Sequence, residues 1–430
     1  MLSTLGFGLD PMSILVPFLV FAIGVSHGVQ MINSVSKMVN KGKTSKEAAQ
    51  LSFRILLVPG GIALLSDTIG FMTLLSIDIG VIRELAITAS LGVAMIILTN
   101  LILLPLLVSY LTITPKDRKN HAGHISEESA VWRFMATFAT KGSAIVILAI
   151  TIVLYAAGLF NSQYLKIGEL HAGAPALHES SRYNQDTFLI TNRYAISVDY
   201  MSIIIEATPD ACTYYDTMNT IDRFQWRMEN VQGVQSAVSL ASISKVVNAG
   251  YNEGNPKWRV ISRNQQTLVQ SIARIPSASG LLNNDCSVMP VILFLRDHKA
   301  ETIDRVIKEV KLAATELGNE QLQFKLASGP VGVMAATNEA VADAQLPMMI
   351  YVYGAVIVLC LLSFRSVRAT IVVVLPLYVV STLAQWLMTI LDIGLTVSTL
   401  PVIALGVGIG VDYGIYILST MSNELKNGAN

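Results

Sequence analysis

Gly406-Val407-Gly408-Ile409-Gly410-Val411-Asp412-Tyr413-Gly414 lies in the middle of an apolar run that covers residues 397–420. A helix needs about 20 mostly apolar residues to cross a ~30 Å hydrocarbon core. The run therefore reads as a membrane span, and Asp412 falls well inside it. An acid at that depth costs roughly 2.5–3.5 kcal/mol on insertion scales. It must face a partner, a water-filled cavity or the interior of a helix bundle. The glycines on alternate positions (Gly406, Gly408, Gly410, Gly414) let a second helix approach closely.

Outward from this span the chain repeats the pattern. About seven runs satisfy the same length criterion, at residues 12–33, 55–76, 87–110, 144–159, 346–364, 369–391 and 397–420. The composition agrees: 52% of residues are hydrophobic and only 14% charged, against roughly 25% charged in soluble domains. Thirty basic residues balance 30 acidic ones, which gives no electrostatic reason to expect nucleic acid as a partner. The first run lacks the basic start and small-residue cleavage site of a signal peptide.

Loop charges set an orientation. Lys37, Lys41, Lys43, Lys46 and Arg54 follow the first run, Lys116, Arg118, Lys119, Arg133 and Lys141 follow the third, and Arg365 and Arg368 lie between the fifth and sixth. Basic loops stay in the cytoplasm. The basic linker after the third run also suits contact with anionic membrane lipids. Strict alternation then places the long polar stretch, residues 161–345, outside the cytoplasm. Within it, residues 197–207, 234–239, 288–296 and 322–327 read as strands, and 212–228 and 300–317 as helices. Two β-α-β units predict a pair of small α+β, ferredoxin-like subdomains. Between them, residues 249–280, rich in Gly, Asn and Ser and containing Trp258, predict loop and edge structure. Residues 338–345 predict a helix leading directly into the fifth run.

The expected fold is a membrane all-α helical bundle with an inserted α+β domain. Its parts are a first membrane section (1–111), a cytoplasmic linker (112–143), a transmembrane helix (144–160), the exported domain (161–345) and a second membrane section (346–430).

The chain also matches itself. Shifted by about 386 residues, 8–42 falls on 394–428 without a gap, aligning Gly24 with Gly410 and Gly28 with Gly414. Both spans run in the same direction, the parallel-repeat arrangement of some transporters. Ser26 then stands where Asp412 stands in the other copy, and His27 where Tyr413 stands. A buried His27 and Asp412 on facing helices can share or pass a proton. Asp67, within Ser66-Asp67-Thr68-Ile69-Gly70-Phe71, lies near the middle of the second span and is a further relay acid or a partner for His27. Simpler readings stand beside each: Asp412 as a protonated packing group, His27 bonded to a backbone carbonyl, Asp67 capping a helix unwound beside Pro59, Gly60 and Gly61. Asn100 suits an interhelical hydrogen bond better than proton carriage. The candidate relay is thus Asp412, Tyr413, His27, Ser26 and Asp67, with Gly24, Gly28, Gly406, Gly408, Gly410 and Gly414 as packing positions.

These residues resemble the resistance-nodulation-division (RND) permease superfamily, in particular its MMPL-type branch. The segment 408–414 looks like that family's tenth span with its proton-carrying Asp. Asp67-Thr68-Ile69-Gly70-Phe71, followed by Ile82-Arg83-Glu84-Leu85 and Leu104-Pro105, looks like spans five and six. Residues 12–111 are similar to part of a sterol-sensing domain. The resemblance implies that 161–345 is the second porter domain, that spans four to ten are in view, and that the sequence is a fragment of a longer permease. It implies a proton-driven exporter of hydrophobic or lipid-like substrates in the cell inner membrane, with its large domain in the periplasm. A homo-oligomer and periplasmic partner proteins are compatible with it. Ser26 and His27 depart from the pattern, since many relatives carry an acid there. Two rivals use the same membrane fold: a lipid or sterol sensor without net transport, and a SecD/SecF-like accessory to protein translocation.

No P-loop or nucleophile motif is present, so an enzyme is not expected and no cofactor is implied. Neither Arg296-Asp297-His298 nor His171 with His178 has the spacing of a zinc motif, and no metal site is expected. Cys212 and Cys286 lie in the exported stretch. An oxidising compartment permits their disulfide, but sequence does not supply their separation, and two buried thiols remain open.

Overall fold

A computed structural model of the chain describes residues 6–8, 10–111, 134, 136–138 and 140–426. Much of the expected linker, with Lys116, Arg118, Lys119 and Arg133, lies outside the described residues, as does the end of the repeat at Gly428. The chain divides into two compact units, Met1–Leu165 with Ala340–Asn430, and Lys166–Glu339.

The first unit is helical. In chain order it contains α1 (Leu15–Asn40), α2 (Ser45–Thr73), α3 (Gly80–Ile96), α4 (Leu104–Ser109), α5 (Lys141–Ser162), the later part of α11 (Pro330–Phe364), α12 (Val367–Ile390) and α13 (Leu400–Lys426). Among the described residues, seven helical stretches are long and apolar enough to cross a membrane. They coincide with the seven apolar runs. The stretch 338–345 is helical and continuous with the fifth span, as its pattern predicts.

Helix α2 is the centre of this unit, packing against α1, α3 and α13. Its start is fixed by a capping box: Thr44 Oγ1 accepts from the Glu47 amide, and the Glu47 carboxylate accepts from the Thr44 amide. Small residues Ala48, Ser52, Ala63, Ser66 and Gly70 are buried along it, which lets neighbouring backbones come close. The helix runs unbroken through Pro59, Gly60 and Gly61. The unwinding that the simpler reading of Asp67 required is therefore absent, and Asp67 caps nothing. Pro59 removes one backbone donor, but the small residues around it leave room for the helix to continue. Between α3 and α4, residues Ile97–Leu103 form a wide π-helical turn. Asn100 lies in it and donates from Nδ2 to the Gly24 carbonyl of α1, the interhelical role its side chain suggests.

The second unit is α+β. It comprises α6 (Arg182–Arg193), β1 (Tyr200–Ala207), α7 (Tyr215–Glu229), β2 (Val234–Ser239), α8 (Leu240–Tyr251), α9 (Gln265–Ile272), β3 (Val288–Leu295), α10 (Ala300–Leu317) and β4 (Leu322–Ser328). The strands form one antiparallel sheet in the order β2-β3-β1-β4. The two β-α-β units thus interleave in a single ferredoxin-like sheet rather than building the expected pair of subdomains. The reason is pairing: β1 and β3, the first strands of the two units, are each other's neighbours, with Met201 opposite Leu293 and Ile203 opposite Val291. These alternate residues are fully buried, and Phe224 of α7 and Val306 of α10 belong to the same core.

The stretch 249–280 is more ordered than its composition suggests. Asn264 accepts from the Thr267 amide (3.2 Å) and starts α9. Leu268 and Ile272, one turn apart, are buried on the same face. Ser271 is bonded to Ser244 of α8 (2.7 Å). Cys212 and Cys286 are joined in a disulfide, which settles the alternative left open by the sequence. Cys360, in α11, is free and buried.

His298 is also buried in this unit, with Nδ1 2.8 Å from Asp199 Oδ1. Burial opposes charge on the imidazole. The Asp199 hydrogen bond and the charges of Asp199, Glu169 and Asp297 outweigh it and hold the group above the usual imidazole range. A raised folded-state value means that the pair's contribution is complete below about pH 6.5, the unfolded imidazole value, and is lost as pH rises through the folded value. Protection of the amides around residues 295–302, with the intrinsic pH dependence of exchange divided out, is therefore expected to fall as pH rises above about 6.5 in the wild type. In Asp199→Asn that pH dependence should flatten.

Candidate functional site

Three helices of the first unit bring their polar residues to one place. On α1, Ile23, His27, Met31 and Val35 form the buried stripe. On α2, Asp67 belongs to the buried face that includes Ala63 and Gly70. On α13, positions 408, 412 and 416 follow one another at four-residue spacing and share a face. Gly408 makes the approach of α2 possible: a Cβ there would come within 3.2 Å of Asp67 Oδ1.

His27 sits between two groups of α13. Its Nε2 is 3.2 Å from Asp412 Oδ2, and its Nδ1 is 2.7 Å from the Tyr416 hydroxyl. Asp67 completes the cluster, with ligand atoms of His27, Asp67 and Asp412 all within 4.8 Å of one another. The three residues are 4%, 3% and 7% exposed, respectively. Both oxygens of Asp67 and Oδ1 of Asp412 find no hydrogen-bond partner among the described residues. Two ionised carboxylates at that separation repel by at least about 3 kcal/mol at an effective dielectric of 20, before any cost of burial. Keeping both acids ionised side by side is therefore costly in this cluster.

The predicted residues divide. His27, Asp67 and Asp412 are brought together. Tyr413, expected in the relay as the repeat partner of His27, is 55% exposed. One residue along a helix is a turn of about 100°, which carries Tyr413 off the packed side while Val411, on the other flank of Asp412, stays buried. Tyr416, one full turn on, takes the inner position. It was missed because the repeat alignment, not the helix period, chose the tyrosine. Ser26 is half-buried and has no hydrogen bond to the cluster.

The packing glycines divide too. A Cβ at Gly410 or Gly414 would strike Leu377 or Val373 of α12, at 2.6 and 2.8 Å. Gly24 and Gly28 lie against Asn100. Gly406 has nothing within 4 Å and is not a close contact. Gly60, by contrast, makes room for the Tyr416 hydroxyl, 3.0 Å from a Cβ built there. Accordingly, Gly408→Ala is expected to loosen the α2–α13 contact by pressing on Asp67, lowering the thermal midpoint of the detergent-purified chain. Gly406→Ala should leave that midpoint near wild type. Equal shifts in both would contradict the packing argument.

The profile of the MMPL family matches residues 193–430, more than half of the chain. The chain belongs to the MMPL family. It is thus a multi-pass membrane protein of the RND/MMPL permease type, a class of transporters rather than enzymes. No curated protein matches it. Among solved structures it is similar to SecDF, a translocon-associated membrane protein from Thermus thermophilus, with 15% identity and a TM-score of 0.48. That match covers 99% of this chain and 46% of the other, so the chain spans less than half the length of that protein.

Proposed function

We propose that this MMPL-family chain is the proton-coupled core of an exporter that moves hydrophobic or lipid-like molecules out of the inner membrane, with the Lys166–Glu339 unit in the periplasm. The observation that carries the reading is the buried His27–Asp67–Asp412 cluster, closed by Tyr416, on three separate helices. A proton entering from outside neutralises one negative charge, and its release inward restores the charge. Each charge moved through 100 mV is worth about 2.3 kcal/mol. That energy biases a rearrangement when the two states of the bundle bind the proton unequally.

The apolar cargo is supported by a second feature of the helical unit. A groove of about 590 Å³ runs between α11 and α12, lined by Ile350, Tyr353, Ile357, Leu361, Ile371 and Val374 among others. Its walls suit a hydrocarbon chain and offer little to a charged solute. Asp412→Asn in the protein expressed from its own gene tests the reading. Loss of proton-coupled export with normal insertion supports it, and normal export sinks it.

A further inference from the structure

We propose that the His27–Asp67–Asp412 cluster is also a binding site for a divalent transition-metal ion of the Zn²⁺ type, which competes with protons there and arrests the permease.

The donor set is the first argument. One imidazole nitrogen and two carboxylates are ligands that zinc accepts, at about 2.0–2.2 Å. His27 Nε2 and Asp412 Oδ2 are 3.2 Å apart, close to the ~3.4 Å expected between two tetrahedral ligands at those bond lengths. Asp67, within 4.8 Å of both, reaches the same ion by a modest side-chain movement.

The second argument is what the donors lack. Asp67 is 3% exposed, and neither of its oxygens has a hydrogen-bond partner among the described residues. Asp412 Oδ1 is equally unpartnered. Buried carboxylates are normally paired or bound to metal, and each of these acids places an oxygen within 4.8 Å of the other's and of His27.

The third argument is independent of the acids. A metal-binding histidine characteristically gives its other ring nitrogen to a hydrogen-bond partner, which fixes the ring and its tautomer. Tyr416 Oη, 2.7 Å from His27 Nδ1, is placed to accept that proton, which would free Nε2, 3.2 Å from Asp412 Oδ2, for the ion. The same imidazole sets the choice of ion. Calcium and magnesium seek shells of oxygen, whereas imidazole with few carboxylates favours zinc and its late first-row neighbours.

That an occupied site stops transport rests on the proton-relay reading; that it binds metal does not. The test is titration of the full chain, purified in detergent, with zinc sulfate against a chromophoric chelator. Zinc-edge absorption spectroscopy then reads the ligands. One saturable site per chain with nitrogen and oxygen donors is expected. Asp67→Asn and His27→Ala should weaken binding at least tenfold. Tyr416→Phe, which keeps all three ligands, should weaken it by about tenfold, the low end for loss of such a supporting bond. Gel filtration separates loss of a site from loss of the fold. No saturable site, or equal binding in all three variants (the mark of exposed His171 and His178), overturns the proposal. Export that survives in Asp412→Asn, while zinc still titrates the wild-type cluster, removes the relay and leaves the metal site. Export that needs Asp412 in a protein with no zinc site removes the metal alone.

Discussion

Export by the Asp412→Asn protein is expected to fall to the level of cells lacking the gene, with the protein still in the membrane at normal abundance. Asn is nearly the shape of Asp and keeps an amide opposite His27 Nε2 that can donate or accept, so α13 keeps its packing on α2. What it cannot do is gain and lose a proton. A carrier that never changes charge takes nothing from the membrane potential, whatever its cargo affinity. His27→Ala should be milder, because water admitted where the ring stood can still carry protons between Asp412 and Asp67. Its defect should vary with external pH, whereas that of Asp412→Asn should not. Accumulation of a fluorescent hydrophobe in cells, at fixed membrane levels of each variant, reads both. Asp412→Asn cells that clear the dye at the wild-type rate would remove the basis for proton coupling.

Replacing Cys212 and Cys286 by serine is expected to produce the largest loss of stability in the Lys166–Glu339 unit. The bridge closes a separation of 74 residues. The chain-entropy model assigns such a loop on the order of 4 kcal/mol. Both cysteines are buried beside the sheet core, so the serine hydroxyls also enter an apolar setting. Hydrogen exchange in β1 and β3 should accelerate by roughly a thousandfold if exchange there follows global opening. Exchange unchanged in those strands would mean that the core holds the sheet without the link.

The membrane fold was legible because a spanning helix announces itself by length and apolarity, and each of the seven runs does so on its own. The sheet was less so. Periodicity identified all four strands but not their partners. Strand order depends on which edges meet, as β1 meets β3, and no local pattern encodes that. Helix α9 was hidden by Gly, Asn and Ser around it, although Asn264 followed by Leu268 and Ile272 was a readable start. The cluster shows the same division. Asp412, Asp67 and His27 stood out because polar groups in an apolar run demand explanation. Tyr416 did not, since a tyrosine costs little in a span, and only its distance of one turn from Asp412 marks it. The expectation of no metal site rested on local spacing, which says nothing of a cluster assembled from three helices such as the one proposed above to bind zinc.

His27 and Asp412 are separated by 385 residues, which matters while the chain is being made. At about 5–20 residues per second, Asp67 enters the bilayer some 20–70 s before Asp412 has been synthesised. During that interval Asp67 and His27 wait without the Asp412 carboxylate that lies beside them in the finished fold. Biogenesis of this protein therefore includes a waiting period, ended when the last described helix docks, and the quality-control proteases of the membrane have that long to find it.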